Sequence, residues 1–262
     1  MIGTPVSGTV AAGSATADFD PVESAPGRYT ITAVYHDATG VFGDEQGTST
    51  LTITPGAAES VTLLPGDTSA AVGQPVTETA TVVDYLGYPV SDGTVVNFNV
   101  TGNNSTSGSA STVSGQANFS YGAIVTGVDT LTATVVGGLN PSVTATITWT
   151  APVSTRRASL TILSPFTPTV QAVVFTGANG GTPSGSLSYA SPAVKLSQVQ
   201  LTALVASRSN ATVFGTARLA DGTNVDFRLD VTAARVGGTV RLRLSTGYDS
   251  GNVRVLAVRV SP

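Results

Sequence analysis

Apolar and polar residues alternate with a period of two in one segment after another, and no stretch sustains apolar residues at helical spacing. Tyr29, Ile31, Ala33 and Tyr35 would share one face of a strand, as would Val96, Phe98 and Val100. Leu131, Ala133 and Val135 repeat the pattern, as do Val143, Ala145, Ile147 and Trp149. Further on, Val225, Phe227, Leu229 and Val231 alternate with Asp226, Arg228 and Asp230, and Val240, Leu242 and Leu244 alternate with Arg241 and Arg243. The segments are rich in β-branched residues and are separated by Gly, Pro, Asn and Asp, the residues of tight turns. One apolar face per strand and short connections predict antiparallel sandwiches, so the expected fold class is all-β.

At 262 residues the chain has room for about two to three such domains. Pro55-Gly56-Ala57-Ala58 and Thr150-Ala151-Pro152-Val153-Ser154-Thr155 read as short, semi-rigid linkers. They divide the chain into residues 1–54, 55–152 and 153–262, three tandem β-sandwich units with the first incomplete and the last basic. The Ser/Gly/Asn/Thr-rich stretch Thr101–Ser114 reads as a mobile loop inside the second unit. Charge divides at the same place as the second linker. Residues 1–150 carry twelve acids and a single base, Arg28, a net of −11, whereas residues 151–262 carry eleven bases and four acids, a net of +7. Polyanions would therefore meet the last unit and cations the first two.

Pro5-Val6-Ser7-Gly8-Thr9-Val10 recurs as Pro89-Val90-Ser91-Asp92-Gly93-Thr94-Val95, and Thr32-Ala33-Val34-Tyr35 parallels Thr132-Ala133-Thr134-Val135. The run Val76–Asp84, then Gly87-Tyr88-Pro89-Val90, Ala117-Asn118-Phe119-Ser120-Tyr121, Gly127–Ala133 and Thr146-Ile147-Thr148-Trp149 resembles bacterial Ig-like repeats of the invasin/intimin type, over about residues 57–150. Glu78 departs from that pattern, which has an inward aliphatic residue there. Either the strand end is exposed or Glu78 needs a partner, since an unpaired buried carboxylate is costly.

Ala15–Phe19, Pro26-Gly27-Arg28-Tyr29 and Ala33-Val34-Tyr35 resemble the C-terminal half of another such repeat. Aligned through the Pro-Val-Ser motif, the first unit is about 30 residues short of a full sandwich of ~100 residues. Three explanations stand: a fragment of a longer array, a neighbouring subunit that supplies strands by β-augmentation, or a small sandwich of its own. The order of segments from Gly185 to Gly251 resembles the post-COAP type of β-sandwich, which implies extracellular or cell-surface placement rather than an activity. Met1–Ala12 lacks the charged start and apolar core of a secretion signal, so any such signal would lie outside this chain.

Little points to catalysis. Without Cys there is no thiol chemistry, disulfide framework or Cys-ligated metal, and the single His, His36, beside Asp37, has no nucleophile at a suggestive spacing. No Gly-rich loop precedes a helix, and basic residues are not interleaved with aromatics, which argues against phosphate cradles and nucleic acid. No apolar run is long enough for a helical membrane span. Tyr85, Tyr88 and Trp149 could stack sugars, but Trp149 falls on the inward face of its strand and the tyrosines flank a turn.

Two sets of charged residues remain as site candidates. Asp18 and Asp20, and Asp37 with Asp44 and Glu45, could supply oxygen ligands to a Ca2+ at a domain joint, although no EF-hand spacing is present. Arg241, Arg243, Arg254 and Arg259 could form a basic face for anionic surface glycans or for the acidic units of a neighbouring chain. The competing structural role is pairing of Arg241 and Arg243 with Asp226 and Asp230 across adjacent strands.

The sequence thus leads to a non-catalytic extracellular protein, an Ig-like stalk segment with a terminal binding or capping domain and no required cofactor. One alternative is a self-assembling subunit of a surface filament or layer, joined by strand complementation at residues 1–54. Another is a carbohydrate-binding accessory region of a secreted enzyme.

Overall fold

The structure, a computed structural model, describes residues 5–21, 24–153, 157–176 and 181–261. Ser154 and Thr155 of the second linker, and Glu23 and Arg156 of the charge count, lie outside the described residues. Every regular element in the described residues is a β-strand. The chain is a tandem β-sandwich protein, preceded by a hairpin.

The hairpin consists of β1 (Gly27–Tyr35) and β2 (Glu45–Ile53), antiparallel in continuous register from Gly27 opposite Ile53 to Tyr35 opposite Glu45. Among the described residues these strands pair only with each other. The predicted Tyr29–Ile31–Ala33–Tyr35 face exists but has no opposing sheet among the described residues, so Ile31 and Tyr35 stay exposed while Tyr29 is half-buried. The Tyr29 hydroxyl ties the strand to the preceding segment by donating to Ala25 O at 2.6 Å.

The next unit comprises β3 (Ser60–Leu64), β4 (Thr68–Ala71), β5 (Pro75–Val83), β6 (Val95–Gly102), β7 (Thr106–Ser111), β8 (Gln116–Gly122), β9 (Gly127–Val135) and β10 (Ser142–Thr150). One sheet has the order β3-β5-β8 and the other β4-β10-β9-β6-β7, with only β4 and β10 parallel. Val76, Ala80, Val82 and Ala117 of the first sheet pack against Val96, Phe98, Leu131, Ala133, Ile147 and Trp149 of the second. Each inward set follows the period-two pattern, because alternate side chains of a strand point to opposite faces.

The stretch read as a mobile loop is corrected by β7, which pairs with β6 from Val95–Ser111 to Val100–Thr106. Its small residues have a packing reason. The Phe119 ring stacks on Phe98 at 4.9 Å, and a Cβ at Gly108 would stand 2.7 Å from that ring. A bulky residue on β7 would displace the aromatic stack, so a strand of Ser and Gly resembles a loop in composition.

The last unit contains β11 (Ala158–Ser164), β12 (Thr169–Thr176), β13 (Ser184–Ala190), β14 (Ser197–Ser207), β15 (Asn210–Arg218), β16 (Asn224–Ala233), β17 (Gly238–Leu244), β18 (Val253–Val255) and β19 (Ala257–Ser261). Its sheets have the orders β13-β12-β11-β19 and β14-β15-β16-β17-β18, and the chain changes sheets between Val255 and Ala257. Leu160, Ile162, Val170, Val174 and Tyr189 bury against Val213, Phe227, Leu229, Val231 and Leu242. Gly215 sits where β14 slips register against β15. A Cβ there would lie 2.3 Å from the Gln200 carbonyl oxygen and 2.6 Å from the Phe227 ring, so only glycine fits.

Candidate functional site

The two sandwiches meet around one carboxylate. Asp226, near the start of β16, accepts a hydrogen bond from Asn103 Nδ2 at 2.9 Å and another from Thr126 Oγ1 at 3.0 Å. Phe214 and Ala203, on the adjoining strands β15 and β14, are buried with the core of the preceding sandwich. Arg228 places its guanidinium carbon 5.7 Å from the centre of the Phe214 ring, covering it from the solvent side.

The loop that reaches Asp226 is itself fixed from below. Asp129 is fully buried at the start of β9, in the same inward alternation as Leu131 and Ala133. It accepts from Trp149 Nε1 at 2.8 Å, from the Tyr121 hydroxyl at 3.4 Å and from the Asn104 backbone N–H at 2.9 Å. Burial, more than these contacts, pushes the Tyr121 hydroxyl up to about 12. The Asn104 amide completes the loop by accepting from the Ile124 and Val125 N–H groups and donating to Val125 O. Neither Asp129 nor Asn103 was singled out from the sequence. The signal was present for Asp129, an acid in register with an inward apolar row.

The predicted charged strands are neighbours. Asp230 stands opposite Arg241 and Arg228 opposite Arg243 in the β16–β17 register, all on the outer face. Their ion pairs differ from the direct cross-strand pairing expected. Asp230 takes Arg228 Nε at 2.8 Å from its own strand and Arg243 Nη1 at 2.7 Å diagonally, while Arg241 Nε donates to Asp249 at 2.8 Å. Arg241 holds the Asp249 carboxyl down to about 2, aided by the Gly251 N–H and the nearby Arg243. Asp226, expected to pair with an arginine, turns instead to the neighbouring sandwich. Arg254 sits opposite Thr239 on β18, whereas Arg259 lies on β19 in the other sheet.

The acidic set is dispersed. Asp18 and Asp20 occupy the strandless segment before β1, and Glu45 starts β2. Asp37 is committed to its own turn, accepting from the Phe42 and Val41 N–H groups at 2.8 Å and from Thr39 N–H at 2.9 Å. These bonds, led by that from Phe42, lower its carboxyl to about 2. His36 contacts Asp44 at 2.8 Å rather than Asp37. Among the described residues, no three His, Asp or Glu side chains gather closely enough to hold a metal ion. Tyr85 is exposed, Tyr88 half-buried and Trp149 wholly buried, so these rings share no platform.

Two further buried carboxylates, both in the sandwich that follows the hairpin, have structural partners instead. Asp84 accepts from the Gly56, Leu86 and Tyr88 N–H groups at 2.9–3.0 Å, fixing the Pro55-Gly56 linker to the sandwich. Glu78, left open between exposure and pairing, is fully buried and half-satisfied. Its Oε2 accepts from Gly66 N–H at 3.0 Å, while Oε1 has no hydrogen-bond partner. Burial pushes its carboxyl above the usual range, and the charge of Asp67 adds to that.

No family model matches the chain, and no curated protein matches it. Among solved structures it is similar to the fibronectin(III)-like modules of Clostridium thermocellum CbhA, at 17% identity and a TM-score of 0.26, over 76% of this chain and 90% of that one. A likeness so slight carries no functional inference. The class that the fold itself defines is a tandem β-sandwich protein whose two complete sandwiches share a hydrogen-bonded junction.

Proposed function

We propose that this chain is a non-catalytic, extracellular structural and adhesive protein, a stalk segment of Ig-like sandwiches ending in a binding or capping domain. The observation that carries this reading is the junction itself. A carboxylate bridging Asn103 and Thr126, backed by buried Phe214 and Ala203, couples two sandwiches that would otherwise swivel on a short linker. Inter-domain motion is the default for small polar interfaces, and a clamp that opposes it suits a rod that transmits force.

Stretching single molecules of the full chain tests the reading. Two discrete unfolding events, one per sandwich and both at forces well above thermal fluctuation, are expected. Measurable hydrolysis of glycoside or peptide substrates by the purified chain would overturn it.

A second reading, a self-assembling subunit of a surface filament or layer, is favoured by the hairpin. Its strands pair only with each other among the described residues, and Val34, Val41 and Phe42 are at least 68% exposed. Bare apolar surface beside open strand edges is a template for another chain. A monomer mass that stays constant across a wide concentration range in light scattering would exclude it.

A further inference from the structure

We propose that the cleft between the two complete sandwiches is a binding site for a short, neutral glycan segment. The cleft has a volume of about 570 Å3, within the roughly 300–1,000 Å3 of small-molecule sites, and it lies at a domain interface, where such sites concentrate. One wall is the loop leading into β7, with the hydroxyls of Ser105 and Thr106. The other is the turn after β17, with Thr246, Tyr248 and Asp249, and Arg243 stands beside it.

Three properties select the ligand. The first is charge: Arg243 and Asp249 are the charged side chains of the lining, one of each sign and 3.6 Å apart. Arg243 also donates to Asp230 at 2.7 Å, so its guanidinium is engaged on two carboxylates of the protein. The second is the lining itself, where the hydroxyls of Ser105 and Thr106 from one sandwich converge with those of Ser245 and Thr246 from the other, beside the half-buried Tyr248. Hydroxyl-rich rings with one apolar face match such a surface. Charged peptides and phosphates do not.

The third property is rigidity. Asn104 is bonded through its backbone to Asp129 and through its side chain to residues 124 and 125. The opposite turn is closed by Gly247 N–H on Leu244 O at 3.0 Å and by Leu244 N–H on Tyr248 O at 3.0 Å. The Asn103–Asp226 bond fixes the spacing between the walls. A ligand entering this cleft meets groups already in place, which lowers the ordering cost of binding. The site does not depend on the stalk role: a stalk can lack a ligand, and a glycan can bind to a protein that transmits no force.

The test uses the full chain on a printed array of neutral oligosaccharides (cello-, xylo-, manno- and chito-series) alongside uronate and sulfated glycans. Titration of the strongest neutral binder then follows, with amide chemical shifts recorded. At least one neutral series is expected to bind, shifting the amides of Ser105, Thr106 and Gly247. Ser105→Trp and Thr246→Trp, which fill the cleft from its exposed rim, should weaken binding about tenfold or more. Arg254→Ala and Arg259→Ala, outside the cleft, should leave it unchanged. Three results would each overturn the proposal: no neutral glycan bound, shifts confined to residues outside the cleft, or binding only of sulfated glycans that disappears in about 0.5 M salt. The wild-type shifts decide the matter even if a tryptophan variant misfolds.

Discussion

The Asp226 carboxylate and the Asn103 amide, 123 positions apart in the chain, meet at 2.9 Å and join two sandwiches that have separate cores. A hydrogen bond to a charged acceptor is stronger than a neutral one, and this one is partly shielded from water. In a double-mutant cycle of Asp226→Ala and Asn103→Ala, urea denaturation should give a coupling of about 1–2 kcal/mol. Small-angle scattering of Asp226→Ala should show a broader distribution of distances between the sandwiches. Additive effects of the two substitutions would mean that the contact contributes nothing.

Asp129 is the support beneath that contact. Asp129→Ala strips the acceptor from Trp149 Nε1, the Tyr121 hydroxyl and the Asn104 N–H in a site closed to water. The expected loss is about 3–5 kcal/mol, since each orphaned buried donor costs roughly 1–3 kcal/mol and partial relaxation recovers some of it. Asp129→Asn keeps an acceptor oxygen and should lose less. Fluorescence of the single tryptophan, Trp149, reports unfolding of this sandwich alone.

The contrast between what alternation reveals and what it hides is clear in these residues. Trp149 facing inward, and β16 lying beside β17, were both readable, because a period of two assigns faces without knowledge of the partner strand. The strand β7 was hidden because its composition answers to Phe119 on the opposite sheet, a contact no local window contains. Asp226 was placed on the right face but given the wrong partner. Face is a local property, whereas the identity of the neighbour depends on how two separate sandwiches dock. The same limit applies to Arg241 and Arg243, whose positive charge is met by Asp249 from a turn and by Asp230 diagonally.

Glu78 gives a pH dependence of unusual sign. Its folded carboxyl is raised by burial, so the folded state holds the proton more tightly than the unfolded chain does. Stability attributable to this residue is therefore present at low pH and falls as pH rises through the unfolded value of about 4.3 and on to the raised folded value. Glu78→Gln retains an oxygen for the Gly66 N–H and removes the ionisation. It should raise the midpoint of thermal unfolding at pH 7, with the gain shrinking toward pH 4. A gain that is the same at both pH values would show that charge burial is not the cause.

Gly215→Ala tests the close approach at the β14–β15 irregularity. The added methyl would meet the Gln200 carbonyl oxygen at 2.3 Å and the Phe227 ring at 2.6 Å, and neither can withdraw without disturbing the core. Overpacking of this kind costs about 1–3 kcal/mol. The loss should appear in the circular-dichroism transition of the last sandwich while the Trp149 fluorescence transition shifts less.

The Arg241–Asp249 pair provides the last check, on whether the outer arginines are occupied with structure. Asp249 has its carboxyl held at about 2, chiefly by the Arg241 guanidinium. A depressed carboxyl contributes stability that is complete above the unfolded value of about 3.9 and is lost as pH falls through about 2. Both side chains are about one-third exposed, so water and salt screen the pair. A double-mutant cycle of Arg241→Ala and Asp249→Ala at pH 7 should give a small stabilising coupling that falls in high salt and vanishes near pH 1.5. If Arg241→Ala instead left stability unchanged at pH 7 and abolished binding to sulfated glycans, Arg241 would belong to a basic recognition face rather than to the fold.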